Sequence, residues 1–198
     1  MKPCNIVKLK LQLIARFDDE PIVRFRDLVS QSINQDLDLL AKEVKKARGK
    51  PKVSDIEKQM LGSFQEDEVN FLEEVQDLAD SLSISALYSK LEITVKHMCE
   101  IAILGVNRRN LFRFDKLADS LRGAGIDITT LVGYDRVDEL RCLNNAIKHA
   151  GLAGPELTQY GWTVGDPING ITASYPQLQK ACTDFVGSLR DALIRIQP

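Results

Sequence analysis

Apolar residues recur in steps of three and four along almost the whole chain, and this spacing restricts the fold more than any other feature. It places apolar side chains on one face of an α-helix. No stretch of convincing length alternates apolar and polar residues, as a half-buried β-strand does. The sequence therefore predicts an all-α protein.

The periodic segments are separated by glycine- and proline-containing sequences, which define where each helix ends. The second segment carries an apolar stripe made of Val69, Leu72, Val75, Leu78, Leu82, Ala86, Leu91, Val95, Met98 and Ala102. A bend is expected inside this segment at SLSIS, residues 81–85. Ser174 and Gln177 have the spacing of a capping box in front of the last helix. The predicted helices are 22–49, 66–102, 109–121, 135–149 and 175–196.

The spacing of these helices predicts two regions. Residues 1–52 form an N-terminal helical extension, and residues 66–196 form a helical bundle, with one continuous domain as the alternative. One long non-helical segment, residues 150–174, precedes the last helix and contains Trp162, the only tryptophan. Loops of this length in compact domains are often functional. A packed surface loop held by Trp162 and Ile168 is the other interpretation.

Composition limits the location and the general class of the protein. The 44% of hydrophobic residues fits a globular chain, and no apolar run reaches the ~18 residues that a membrane span needs. The N-terminal sequence has no signal-peptide pattern. The four cysteines lack a CxxC pair, which favours free thiols in a reducing cytoplasm over a metal or redox site. They are Cys4, Cys99, Cys142 and Cys182.

Charge is unevenly distributed, although the formal net charge is only −2. Residues 66–80 contain seven Asp or Glu and neither Lys nor Arg. Two clusters are basic: residues 42–52, and residues 108–116 with Arg108, Arg109, Arg113 and Lys116. Each basic cluster fits either a contact with phosphates or a solvated helix end. Any contact with nucleic acid must come from such a local patch.

A polar stripe runs along the predicted helix 135–149, in the sequence RCLNNAIKHAG. Its members Arg141, Asn144, Asn145, Lys148 and His149 recur at helical spacing. The apolar face of the same helix is supplied by Val137, Leu140, Leu143 and Ile147. The stripe is therefore free to face solvent, a cleft or a partner.

A cation and a histidine on one face fit RNA cleavage without a metal ion. The histidine moves a proton to or from the reacting oxygens, and the cation stabilises charge on the phosphate. His97, the only other histidine, is expected to be a partly buried structural residue. If each chain contributes one catalytic histidine, the acid and the base must come from two chains. This favours a homodimer.

The sequence RCLNNAIKHAG resembles the signature helix of HEPN domains, the "higher eukaryotes and prokaryotes nucleotide-binding" superfamily. Two further segments are similar to the family, SALYSKLEITVKHMCEIA and ELTQYGWTVGDPI, and together the resemblance covers residues 66–196. It implies an up-and-down four-helix bundle and a homodimer that pairs through helix 135–149. It also implies metal-independent endoribonuclease activity in toxin–antitoxin, phage-defence or RNA-processing systems, with RNA and a cognate antitoxin as partners.

The family pattern places an arginine upstream of the histidine, and here Asn144 stands at that position. Arg141 and Lys148 are the cations that remain to hold a phosphate beside His149 and Asn145. Two alternatives follow: a catalytically inactive HEPN-like module that binds RNA or protein, and an unrelated helical scaffold or regulatory subunit. No cofactor and no metal are expected, because neither a phosphate-binding glycine loop nor a set of metal ligands is present.

Overall fold

The computed structural model describes residues 3–49 and 54–197, and this part of the chain is helical with no β-strand. The all-α prediction is therefore confirmed. Short 3₁₀ helices occupy Arg108–Phe112, Ile128–Thr130, Pro155–Tyr160 and Ile171–Ala173. The α-helices are α1 (Pro3–Ile14), α2 (Glu20–Arg48), α3 (Asp55–Ala102), α4 (Phe114–Gly123), α5 (Tyr134–His149) and α6 (Tyr175–Arg195).

The chain divides into two compact units, Met1–Asp19 with Ile84–Pro198 and Glu20–Ser83. Helix α3 runs through both units and passes from one to the other between Ser83 and Ile84. The predicted boundary at residue 52 lies outside the described residues, as do Lys50 and Lys52 of the first basic cluster. The partition into residues 1–52 and 66–196 stays a prediction, and so does a four-helix bundle.

Helix α3 is longer than predicted. It begins at Asp55 instead of residue 66 and continues through SLSIS as one helix, so the chain is not broken there. A bend at residues 81–85 stays a prediction. The hydroxyl of Ser83 donates a hydrogen bond to the carbonyl of Ala79 at 2.7 Å. Because this bond satisfies the serine within the helix, the polar segment does not interrupt it.

The capping box forms at a different helix from the predicted one. At the start of α3, the backbone amide of Ser54 donates to the carboxylate of Glu57 at 2.8 Å, and the Glu57 amide donates to the Ser54 hydroxyl at 3.2 Å. In front of α6, Ser174 already has helical dihedral angles, and its hydroxyl donates to the Ile171 carbonyl instead. The predicted capping box between Ser174 and Gln177 is therefore wrong.

Two further expectations for α3 are corrected by the exposure of its side chains. Leu78 and Leu82, placed in the buried stripe, are 61% and 53% exposed. His97 is exposed and not partly buried. Leu91, Val95 and Met98 of the predicted stripe are buried, as expected.

The first unit has an extensive apolar core around α5 and α6, which pack against each other, and α1 packs on α6. Gly133, with a φ of 87°, immediately precedes α5. A Cβ atom at this position would lie 2.5 Å from the carbonyl oxygen of Ala181 in α6. Only glycine combines this backbone conformation with so close an approach. Fully buried side chains of the core include Leu87, Met98, Leu121, Leu140, Leu143, Phe185 and Leu189.

The second unit is an antiparallel hairpin of α2 and the first part of α3. The guanidinium of Arg26 contacts the carboxylate of Asp80 at 2.5 Å, and both residues are buried. Four residues further along α2, the Ser30 hydroxyl donates to Gln76, which lies four residues earlier in α3. These two contacts run in opposite directions along the chain, as antiparallel helices require.

Among the described residues, no helix has the length and apolar character that crossing a membrane requires.

Three cysteines, Cys99, Cys142 and Cys182, are free and buried, whereas the Cys4 side chain lies outside the described part. Burial raises the pKa of Cys99 and of Cys182 to about 12, which keeps both thiols protonated and unreactive.

Candidate functional site

Helix α5 is buried over a wider arc than its apolar stripe. Val137, Leu140 and Leu143 are buried, as expected from the sequence, and Ile147 is half-buried. Acidic side chains next to the stripe, Asp138 and Glu139, are also buried. Carboxylates are rarely buried without a partner. Arginines one turn away on the same helix pair with both carboxylates, and further partners come from another segment.

These partners come from the long segment that follows α5. The hydroxyl of Tyr160 donates a 2.7 Å hydrogen bond to Asp138, and the indole nitrogen of Trp162 donates to Glu139 at 3.4 Å. Burial and the bond to Asp138 raise the pKa of Tyr160 far above its usual value, so the phenol stays protonated as the donor. Ala153, Leu157 and other apolar residues of the segment are buried. The segment is packed against α5 instead of extending into solvent.

A cavity of about 520 Å³ opens along the polar stripe of α5. Four predicted site residues line it: Arg141, Asn144, Asn145 and Lys148. The other lining residues come from α3 and from the start of α4, namely Tyr88, Glu92, Arg113, Phe114 and Asp115. The structure therefore brings four of the five predicted site residues together.

Arg141 is held rigidly at the cavity. Its Nε donates to Asp138 at 2.8 Å, its Nη2 donates to the sulfur of Cys142 at 3.2 Å, and its guanidinium carbon lies 5.0 Å from the centre of the Phe114 ring. Burial alone would lower the pKa of Arg141, but the hydrogen bond to Asp138 and the negative charge of that carboxylate together outweigh burial and raise the pKa. The described residues provide no partner for Nη1, which leaves its two N–H groups for an anion.

Asn144 differs from its expected place on an open polar stripe. Only 1% of the residue is exposed, and its Oδ1 atom is buried without a hydrogen-bond partner. A buried acceptor that lacks a donor costs about 1–3 kcal/mol. The position of the family's arginine therefore points into the interior in this chain. The cations of α5 that line the cavity are Arg141, three residues earlier, and Lys148, four residues later.

The remaining cationic side chains at the cavity differ in how far they are neutralised. Arg113 forms two hydrogen bonds with Asp115, at 2.8 and 3.2 Å, and these hold the pKa of Asp115 below its usual value. Lys148 is exposed and has no ion-pair partner among the described residues. Of the second basic cluster, Arg113 lines the cavity, and a contact of this cluster with phosphates stays a prediction. Its partial neutralisation by Asp115 does not follow from the sequence pattern.

The α3 side of the cavity was not predicted. Glu92 forms a 2.9 Å ion pair with the buried Lys96. Burial, reinforced by the neighbouring Glu92, raises the pKa of Tyr88 to about 12, so its hydroxyl remains a hydrogen-bond donor. The cavity residues Tyr88 and Glu92 lie one turn apart in the segment SALYSKLEITVKHMCEIA. Nothing in the spacing of that segment indicates that they face α5.

His149 does not line the cavity. It is exposed and lies in the last turn of α5, four residues after Asn145. Residues four apart are neighbours on a helix surface, so His149 lies one turn beyond the cavity residue Asn145. The Cys142 thiol is no substitute for a nucleophile, because burial raises its pKa.

The chemistry of the lining favours an anionic ligand with hydrogen-bonding groups. Three cationic side chains and two carboxylates surround the cavity, and Lys148 and the Nη1 group of Arg141 are available to an anion. Within the described residues, no group of three histidine, cysteine or acidic side chains is placed to hold a metal ion. No protein-family model, curated protein or solved structure matches this chain.

Proposed function

We propose that this protein binds RNA at the α5 cavity and cleaves it as a dimeric, metal-independent endoribonuclease. The observation that supports the proposal is the convergence of Arg141, Asn145 and Lys148 on one cavity, with His149 one helical turn further along α5. Arg141 and Lys148 bind a phosphate of the RNA backbone. The amide of Asn145 donates to a phosphate or sugar oxygen.

The proposed reaction uses one histidine from each of two copies. The imidazole of one His149 removes the proton from a ribose 2′-hydroxyl, whose oxygen attacks the adjacent phosphorus. The 5′-oxygen of the next nucleotide leaves and takes a proton from the imidazolium of the second copy's His149. The products are a 2′,3′-cyclic phosphate and a 5′-hydroxyl. Arg141 stabilises the charge that develops on the phosphate oxygens.

The biological setting of the proposal comes from the resemblance of α5 to the HEPN signature helix. We accordingly propose a role in a toxin–antitoxin, phage-defence or RNA-processing system, with a cognate antitoxin as a protein partner and with pairing of two copies through α5. The alternative of a binding module without catalysis is supported by the position of His149 outside the cavity. Cleavage itself separates the two functions.

The first test is an assay of wild-type protein on a labelled single-stranded RNA in the presence of a chelator. Cleavage that persists in EDTA and leaves cyclic phosphate ends is expected. RNA binding without any cleavage would instead support the non-catalytic module. Absence of both binding and cleavage over a range of sequences would contradict both functions.

Replacing Arg141 by alanine is expected to weaken the binding of single-stranded RNA by about 10-fold or more, because a hydrogen bond to a charged group contributes about 1.5–3 kcal/mol. The dependence of log affinity on log salt should also become shallower by about 0.7, the value for one lost phosphate contact with a single strand. Fluorescence anisotropy at several salt concentrations measures both quantities.

Arg136→Ala is the matched control for Arg141→Ala. Arg136 lies on the same helix, is paired with Glu139 at 2.6 Å and does not line the cavity. It should leave the affinity within about twofold and the salt slope unchanged. Equal losses in the two variants would mean that the cavity does not bind the RNA.

A further inference from the structure

The hairpin of α2 and α3 presents an uncovered apolar face. Six large side chains of α3 in this unit are 53–71% exposed. At about 100° per residue, these six side chains fall within an arc of about 80° around the axis of α3. The centre of this arc is about 100° away from the buried residues Leu72 and Ala79. The six residues are Ile56, Met60, Phe64, Phe71, Leu78 and Leu82.

Helix α2 adds exposed apolar residues to the same face. Phe25, Leu28 and Leu39 are 39–66% exposed and lie about 120° around α2 from the buried Leu40 and Val44. In each helix, the exposed residues lie on the same rotational side of the buried residues when the helix is viewed along its chain direction. The two helices run in opposite directions with their buried residues facing each other. The exposed residues of both helices therefore point to the same side of the hairpin.

The charges of the hairpin are separated along its length. The contacts Arg26–Asp80 and Ser30–Gln76 set the register of the two helices, which places α2 residues 42–46 beside α3 residues 60–64. The lysines at positions 42, 45 and 46 are exposed at this end. The acidic run 66–80 extends from the middle of the hairpin to the other end. Glu43, Asp55 and Glu57 also lie at the lysine end, so this end carries both signs with a small positive excess, whereas the other end is strongly acidic.

The geometry points to a second copy of this chain as the occupant of the apolar face, and we propose that two hairpins associate face to face in antiparallel orientation. A two-fold axis near residue 69 then places the lysines of one copy over the acidic run of the other. Parallel association would bring like charges together, which is unfavourable. The α5 helix is not part of this surface, so the inference goes beyond the proposed ribonuclease function.

The extent of the face is sufficient for a stable dimer. Aromatic side chains bury about 150–250 Å² each. With three phenylalanines and six large aliphatic residues, each 39–71% exposed, the face presents apolar surface on the order of 1,000 Å² per chain. Stable interfaces bury about 800 Å² per partner. Exposed apolar patches larger than a few hundred Å² are also characteristic of interaction sites in soluble proteins.

The proposal is tested by the mass of the full chain in solution. Sedimentation equilibrium at micromolar concentration should give at least twice the 22.2 kDa of one chain, and more if copies also pair through α5. The double variant Phe64→Glu/Phe71→Glu should have half the wild-type mass, because it buries two carboxylates in the hairpin interface. Both phenylalanines are more than half exposed in the chain itself, so circular dichroism should show unchanged helix content.

The control variant is Asn70→Glu, which adds a carboxylate at an exposed position of α3 away from the apolar arc. It should keep the wild-type mass. A monomeric wild type would overturn the proposal. A double variant with the same mass as the wild type would also overturn it, because the chains would then associate only through another surface.

The orientation is tested separately by charge and by cross-linking. Lys45→Glu/Lys46→Glu should weaken dimerisation at least 10-fold at low salt and much less at high salt. In an antiparallel dimer the two copies of residue 60 lie about 27 Å apart along the helix axis, at ~1.5 Å per residue. Disulfide formation between two Met60→Cys chains, or a charge variant with unchanged affinity, would overturn the antiparallel arrangement.

Discussion

A His149→Ala variant is expected to lose about 10²–10⁴-fold in the rate of RNA cleavage, the usual contribution of one positioned proton-transfer group. RNA affinity should change little, because the phosphate is bound by Arg141 and Lys148 at the cavity and His149 lies one turn outside it. The measurement is single-turnover cleavage of a labelled RNA with EDTA present, together with anisotropy binding.

His97→Ala is the control for the loss of an imidazole. The chain has two histidines. Both are exposed and neither lines the cavity, but His97 lies on α3 whereas His149 lies on α5, next to Lys148. This variant should cleave at the wild-type rate. If His149→Ala cleaves as fast as the wild type, the proposed chemistry is wrong.

Mixed dimers test whether the acid and the base come from two copies. When wild-type and His149→Ala chains exchange freely, only dimers of two wild-type chains have both groups. Activity should then fall with the square of the wild-type fraction. A linear decrease would mean that each chain acts independently, and a second proton-transfer group within the chain would have to be sought.

The sequence predicts the parts of the fold that depend on local spacing. The apolar positions Val137, Leu140 and Leu143 follow from helical periodicity alone, and all three are buried. Spacing allows Asp138 and Glu139 to pair with arginines of the same helix. Their burial could not be predicted, because it also depends on hydrogen bonds from Tyr160 and Trp162, more than 20 residues later. Spacing says which side chains share a face but not what covers it.

The same reason explains the errors at the candidate site and in α3. Asn144 has a polar side chain and so was assigned to the open stripe, although packing of the first unit buries it. Leu78 and Leu82 have the right spacing for a core, but nothing in the described chain covers them. If the hairpins dimerise as proposed, a second copy buries these two leucines, and the spacing reflects burial between chains instead of within one chain.

Replacing Asp80 by alanine is expected to lower the free energy of unfolding by about 3–5 kcal/mol, the usual cost of removing one partner from a buried ion pair. Asp80 is 1% exposed and Arg26 is 7% exposed. Without the carboxylate, the guanidinium of Arg26 remains buried and loses its 2.5 Å contact. Urea unfolding followed by circular dichroism at fixed protein concentration measures the change.

The control is Glu20→Ala, which removes the carboxylate that pairs with Arg24, another arginine of α2. The pair between Arg24 and Glu20 has a similar distance, 2.7 Å, but both side chains are more than 60% exposed. Its loss should cost less than about 1 kcal/mol. Similar losses in the two variants would mean that burial does not determine the strength of the Arg26–Asp80 contact.

The Asp80 experiment is best repeated in the Phe64→Glu/Phe71→Glu background, because dimerisation adds a concentration-dependent term to stability. In this background the cost of Asp80→Ala reports on the hairpin alone. Replacing both charged partners by apolar residues, Arg26→Met with Asp80→Leu, should restore most of the loss, since paired buried charges contribute little net stability over apolar packing. A double replacement as unstable as Asp80→Ala would instead show that the ion pair itself stabilises the hairpin.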